Sequence, residues 1–303
     1  MNNINIVILG SNGQLAKSFF DLIDKNKKKK FNFIFLNKQE VDITKKNLAK
    51  KIILSYNPKF IINFAAYTNV DRAEIYRKKA NNVNNIALNN LAKISKLNRI
   101  ILIHISTDYV FDGRKNKKYS EVDKPKPKSF YGMSKLLGEQ SIINNMEEYI
   151  ILRTSWIYSK YKNNFIKYII DQLINGNKEI NVVKNQYGSP YWTNDISNII
   201  LKIINKVVFY KNENNFGIFH LGYKSKKISR VDVANEVIKI LKKNNIINKK
   251  IKINQKDKKS FKNFKIRPDN SSLSFSKLQK IYKIKDISWK KSLENMIIKY
   301  INQ

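Results

Sequence analysis

The chain has 303 residues, 42% hydrophobic and 12% aromatic, enough for one large α/β domain or two modest ones and too apolar for disorder throughout. With no cysteine it has no disulfide, thiolate metal site or cysteine nucleophile. Its net charge of +36 is mostly lysine: arginine, the residue suited to bidentate reading of phosphate and guanine, supplies only seven of 59 basic residues, so no specific nucleic-acid partner is expected.

Lysine, asparagine and isoleucine are enriched together, as an A+T-rich coding bias would make them, and a genuine polyanion-binding surface is the rival reading of the charge. In chain order, residues 3–9 (NINIVIL) form a continuous β-branched run, the pattern of a strand buried on both faces. This start has no basic leader region or cleavage site, so it does not read as a signal peptide. No stretch approaches the ~18 apolar residues of a membrane span, and a cytoplasmic protein with no membrane partner is expected. A glycine turn leads to a helix over about 14–24, and Lys27–Lys30 reads as a solvated helix end or loop. A second strand (31–36), a helix (about 45–55), a third strand (59–64), helical spacing from 81 to 97 and a fourth strand (99–106) follow. A polar, proline-bearing loop (114–128) precedes a helix near 131–145 and a fifth strand at 149–154. This alternation predicts an α/β fold, a Rossmann-type doubly wound parallel sheet, over 1–158. Residues 159–303 read as a smaller C-terminal substrate-binding domain, with the chain returning to the first domain near 190–222. Its elements are helices at 164–175, 193–206, 230–243 and 288–301 and strands at 179–183 and 217–222.

Gly10-Ser-Asn-Gly13-Gln14-Leu15-Ala16 sits between the first strand and the first helix, where a dinucleotide fingerprint belongs. Gly10 permits the tight turn, Gly13 lets backbone approach a pyrophosphate, and Ala16 keeps helix and strand close. The helix N-terminus adds amide donors. The bland alternative is a glycine-bearing strand–helix turn with no ligand. Tyr131 and Lys135 lie four apart on a predicted helix, so a phenol and a cation share a face. Chance supplies about three such pairs in a chain this rich in both residues, and Tyr158/Lys162 and Tyr223/Lys227 are the others. Position favours Tyr131, which alone follows a buried strand ending in hydroxyls, Ser106 and Thr107.

With GSNGQLA (10–16), NFAAYTNVDRAE (63–74), STDYVFDG (106–113), YGMSKLLGE (131–139), RTSWIYS (153–159), NNF (163–165), NQYGSP (185–190) and RPDNSSL (267–273), the chain resembles the dTDP-4-dehydrorhamnose reductase family of extended short-chain dehydrogenases/reductases nearly end to end. The resemblance implies NADPH-dependent reduction of a 4-keto nucleotide sugar. It places Gly10, Gly13, Gln14 and Leu15 at the cofactor pyrophosphate, Asp42 and Ile43 beside the adenine, and Ala65, Ala66, Tyr67 and Thr68 in the cofactor cleft. Thr107 would hydrogen-bond the substrate carbonyl, Asp108 the sugar, and Trp156 would touch substrate. Tyr131 would be the general acid, with Lys135 its activator and ribose anchor. Asp108 as a loop cap and Trp156 as a core anchor remain alternatives, and His104 and His220 read as satisfied core histidines. Four departures stand out: Phe64 for a small residue, Tyr191 for threonine, Ser18 and Asn194 for carboxylates that hold an interfacial metal in some members, and Asn37 for the acid ending the second strand. No metal is therefore expected, and Asn37 with Lys38 points to NADPH, with NADH still usable. Another nucleotide-sugar reductase or epimerase, or a non-catalytic regulatory subunit, are the rival functions, and a homodimer stays open.

Overall fold

The computed structural model describes residues 3–25, 30–261 and 267–302; of the Lys27–Lys30 run, only Lys30 falls within them, exposed in a turn with its ammonium over the Phe209 ring. The first half alternates β1 (Ile4–Leu9), α1 (Gln14–Lys25), β2 (Phe31–Leu36), α2 (Lys46–Ser55), β3 (Phe60–Asn63), α3 (Val70–Ile75), α4 (Arg77–Asn81), α5 (Ala87–Leu97), β4 (Ile101–Thr107), α6 (Phe130–Ile143) and β5 (Tyr149–Tyr158). The second half carries α7 (Phe165–Ile174), β6 (Glu179–Val183), β7 (Tyr187–Gly188), β8 (Pro190–Trp192), α8 (Thr193–Phe209), β9 (Gly217–His220), β10 (Ile228–Ser229), α9 (Arg230–Lys243), β11 (Lys252–Lys256), α10 (Ser276–Tyr282) and α11 (Trp289–Ile301).

The main sheet runs β2-β1-β3-β4-β5-β8, with β9 also pairing with β5, and every pairing in it is parallel. Parallel strands are covered on both faces, which is why Ile6, Val7, Ile8 and Leu9 are all fully buried. Odd and even positions feed two different cores: Ile6 and Ile8 join the cluster around α1, α7 and α8, while Val7 and Leu9 join the one around α2 and α5. Burial of each such side chain contributes about 2 kcal/mol. Residues 190–220 thus serve the main sheet, and α8 packs on α1. Outside it, β6 pairs with β11 in parallel and β7 with β10 antiparallel.

Three departures from the sequence reading bear on function. The single helix expected over 81–97 is interrupted by a π-helical turn at Asn82–Ile86, and α4 precedes it. That extra residue in the turn buries Asn84, a polar side chain that simple 3.6-residue periodicity does not single out. The fifth strand does not stop at 154 but runs to Tyr158 through a register shift between Ser155 and Ile157. At the shift, Trp156 has a left-handed backbone (φ 45°), the local re-aiming a β-bulge provides. Finally, β7, β8, β10 and β11 are two to five residues long, too short for a periodicity to announce. Among the described residues no helix is long and apolar enough to cross a membrane.

Candidate active site

The strand order reverses between β1 and β3, and the loops leaving these two strands open a crevice there, as open α/β sheets do at a switch point. A cavity of about 720 Å³ lies along it and continues toward β5 and α9, within the range of small-molecule sites. Every residue assigned from the sequence to cofactor, substrate or catalysis borders it except Asn37.

One end is built by the glycine turn. Gly10 has φ +82°, and a Cβ there would stand 2.7 Å from the Ala65 amide nitrogen, so the β1 and β3 loops touch only because position 10 is bare. The first turn of α1 contains no acidic residue, and Asn12, Gly13, Gln14 and Leu15 face the cavity. An anion-accepting amide cluster beside a cradle that a side chain would fill is what a dinucleotide pyrophosphate requires, so the residues present fit that cofactor. Asp42 accepts from both the amide (3.0 Å) and hydroxyl (2.7 Å) of Thr44. Burial opposes its ionisation, but these bonds together with Lys38 and Lys45 hold its pKa below the usual carboxylate value. Asn37 is turned away: its Oδ1 accepts the Gln39 and Glu40 amides (2.8 and 3.2 Å), and its own amide donates to Glu40 Oε2 (2.7 Å). An asparagine closing such a turn spends its side chain on local backbone, which explains why it does not reach the cavity. Lys38 does border it, with its ammonium 3.8 Å from Asp42.

The middle of the cavity holds the hydroxyls. Ser129 caps α6 by accepting the Gly132 amide (3.0 Å), and Glu74 accepts the Phe130 amide (2.6 Å). Two first-turn donors of α6 are thus satisfied and Tyr131 is fixed at its start. Thr107 accepts the Tyr109 amide (3.2 Å) and donates to Asp108 (3.1 Å), and its hydroxyl neighbours the Tyr131 phenol. Burial pushes the Tyr131 phenol well above its usual range, with Thr107 easing it down. Asp108 is 2% exposed and also accepts from Ser155 (2.7 Å), whose hydroxyl lies 3.4 Å from that of Ser271. It is therefore no loop cap: hydroxyls from β4 and β5 hold its two oxygens. Burial raises its pKa against those bonds. Lys135, 1% exposed, donates to the Ile105 carbonyl (2.7 Å) and meets His104 Nε2 at 2.8 Å. Burial lowers its amine to about 7, against the pull of Glu139.

The far end is cationic and aromatic. Trp156 lies against Gly188, where a Cβ would come within 2.3 Å of the indole, and the Arg230 guanidinium stacks over the indole 3.6 Å from the ring centroid. Arg230 also donates to Gln186 (3.2 Å). Burial brings its pKa down to about 10, so it remains charged at neutral pH. Lys79 and Lys162 complete a wall whose acids are Asp42 and Asp108 alone, a field suited to a polyphosphate. Arg230, Lys162, Lys79, Tyr109 and Asn84 were not read from the sequence as site residues. Asn84 accepts the Tyr67 amide (2.8 Å) and donates to the Tyr67 carbonyl (3.0 Å) and Ser134 (3.0 Å), fastening the cleft loop to α6. Lys162 belongs to a Tyr–Lys pair whose tyrosine, Tyr158, is buried in the core. Among the described residues, no group of three or more His, Asp or Glu could hold a metal; Ser18 bonds Thr193 (2.6 Å). Phe64 packs edge-on to Phe19 (6.1 Å), and Tyr191 stacks on Tyr223 (4.9 Å).

The family model for the RmlD substrate binding domain matches residues 4–302. A dTDP-4-dehydrorhamnose reductase of Aggregatibacter actinomycetemcomitans is 33% identical over 291 residues, 96% of this chain and 97% of that protein. The crystal structure of dTDP-4-dehydrorhamnose reductase from Bacillus anthracis in complex with NADP superposes with a TM-score of 0.87 at 31% identity, covering 98% of this chain and all of that one. A UDP-glucose 4-epimerase of Thermus thermophilus, at 14% identity and a TM-score of 0.78 over 98% of this chain and 99% of that one, shares the fold.

Proposed function

The chain belongs to the family of the RmlD substrate binding domain, and from that premise we propose that it reduces the 4-keto group of dTDP-4-dehydro-β-L-rhamnose to dTDP-L-rhamnose with NADPH. The observation that carries this reading is the joining of Thr107, Tyr131 and Lys135 to the glycine turn by one cavity. Gly10–Leu15, Lys38, Asp42, Ile43 and Ala65–Thr68 would hold the dinucleotide. When bound, it supplies the hydride that reduces C4.

The protein's own residues handle the oxygen. Tyr131 presents its hydroxyl to the carbonyl, joined by Thr107 once the threonine proton turns from Asp108. Tyr131 gives its proton to the oxygen as negative charge develops there. The resulting phenolate keeps the Thr107 hydroxyl as a neighbour, with Lys135 one helical turn away on the same face. Asp108, held by Ser155, fixes Thr107 before substrate arrives. Trp156 and Arg230 would grip the sugar nucleotide, the guanidinium facing its diphosphate.

The test is NADPH oxidation with and without the dTDP-4-keto sugar, the product identified by chromatography. Sugar-dependent oxidation yielding dTDP-L-rhamnose is expected. Binding of both ligands without turnover would instead identify a regulatory subunit, and turnover only of a different keto sugar would identify a sister reductase.

A further inference from the structure

The donors and acceptors behind Lys135 form a chain that runs across one face of the sheet from β4 to the end of β3. Asn63 ends β3 and pairs in register with His104 on β4. Asn63 Oδ1 accepts the Ala65 amide (3.1 Å), which orients the side-chain amide and aims its Nδ2 at His104 Nδ1 (3.1 Å). That ring nitrogen must then accept. A neutral imidazole with an accepting Nδ1 carries its proton on Nε2, and Nε2 faces the Lys135 nitrogen at 2.8 Å. An Nε2–H can bond that nitrogen only through a lone pair, which an amine has and an ammonium lacks.

We propose that Asn63 and His104 are the positioning pair that sets the protonation state of Lys135, the Nε2–H tautomer imposed by Asn63 favouring the neutral amine in the ligand-free protein. Proton uptake by Lys135 forces the ring proton from Nε2 to Nδ1. Asn63 must then turn its amide over and release the Ala65 amide, at the loop that abuts Gly10 in the glycine turn. The charge of the lysine and the backbone of the glycine-turn crevice are thereby coupled.

The other ionisable groups near Lys135 do not reproduce this effect. On its own helix are Tyr131 and Glu139, and Glu139 is committed to Arg153 of β5 (2.6 Å). Asp108 and Tyr109 follow β4, and Asp108 is occupied by hydroxyls. Glu74 of α3 caps α6, Asp71 of α3 pairs with Arg267 (3.2 Å), Lys79 of α4 borders the cavity, and the lysines of α5 are exposed. Burial also holds His104 well below its ordinary value, with Lys135 adding to the effect, so the ring stays neutral. Tyr131 is pushed upward instead, so an activity loss near neutrality would not be its titration.

The chain's two histidines provide an internal control. His220 Nδ1 faces the Tyr119 carbonyl (3.1 Å) and its Nε2 faces Arg153 (3.4 Å), which demands the opposite tautomer. Nitrogen NMR of ligand-free protein carrying labelled histidine should show one Nε2–H and one Nδ1–H ring, assigned by a His220→Gln variant. Asn63→Asp offers only acceptors, so it should switch His104 to Nδ1–H and raise the alkaline limb of kcat/KM by about one pH unit, a tenfold change in proton affinity. Asn63→Ala, which unpins Nδ1, should leave a mixture of both tautomers. A wild-type spectrum with His104 as Nδ1–H overturns the proposal without any variant. So does a tautomer switch in Asn63→Asp that leaves the pH limb in place. The inference rests on Lys135 serving the reduction; full turnover in Lys135→Met would remove that reading and leave the tautomer result standing.

Discussion

The two ends of the cavity are built on different plans. The glycine-turn end comes from short runs that are continuous in the chain, 10–15, 38–44 and 64–68, each leaving the end of a parallel strand. The far end collects single residues, Tyr109, Trp156, Lys162 and Arg230, from the turn after β4, the bulge in β5, the loop before α7 and the start of α9. A binding surface made of backbone can be written as a local motif, because the turn and the helix N-terminus do the recognising. One made of long side chains can be assembled from anywhere in the sequence.

The largest expected effect tests the hydroxyls where the two plans meet. Tyr131→Phe removes the proton donor while keeping the ring that packs edge-on to Tyr109 (5.6 Å), so kcat should fall by about 10²- to 10⁴-fold with the fold unchanged by circular dichroism. Tyr158→Phe and Tyr223→Phe should leave turnover close to wild type, since Tyr158 is a core residue and Tyr223 spends its hydroxyl on the Pro190 carbonyl (2.6 Å). Full activity in Tyr131→Phe would remove the proton-donor assignment.

This difference in plan also explains what could be read from the sequence. The β1–β5 alternation was legible because buried parallel strands are continuous apolar runs, and the glycine turn because Gly10 has a sterically forced φ. The NFAAYTNVDRAE run was recognisable as a block, and its physical reason is dispersed over the structure. Asn63 orients His104, Asn69 caps α3, Asp71 pairs with Arg267, and Glu74 caps α6. Each partner lies 30 or more residues away except the local cap, so no periodicity could reveal it. Arg230 was hidden for a different reason. In a chain of 59 basic residues a cation carries little information, and only its stacking on Trp156 separates it from the solvated lysines. The reading of His104 as a satisfied core histidine described its hydrogen bonding but not what its partner is.

An intermediate effect tests the far end. Arg230→Gln removes the charge, and Gln186 retains a polar neighbour. A charge-assisted contact to a diphosphate contributes about 1.5–3 kcal/mol. KM for the nucleotide sugar should therefore rise about 10- to 100-fold, with kcat and the KM for NADPH changing far less. An equal rise in both KM values would mean that the two ends are not independent. That outcome would break the contrast drawn above.

The smallest expected effect tests the end that the sequence described best. Lys38 borders the cavity and is 76% exposed, and its partner Asp42 is held by Thr44 whether or not the lysine is present. A solvated point charge contributes at most about 1 kcal/mol, so Lys38→Ala should lower the NADPH-to-NADH ratio of kcat/KM by no more than about fivefold, an effect that shrinks further as salt rises. Asn37→Asp should act through space only. An aspartate can keep accepting the Gln39 and Glu40 amides, so the turn survives and the added charge stays directed away from the cavity. The ratio should fall, by a factor similar to that for Lys38→Ala, and the double change should fall short of additive because the new carboxylate and the Lys38 ammonium are chain neighbours that partly offset each other. Kinetics with both cofactors in the parent and three variants decide the point. A parent that prefers NADH, or an Asn37→Asp protein with an unchanged ratio, would show that cofactor choice is made elsewhere on the crevice, and a drop of a hundredfold would mean that position 37 swings into the cavity when the dinucleotide binds.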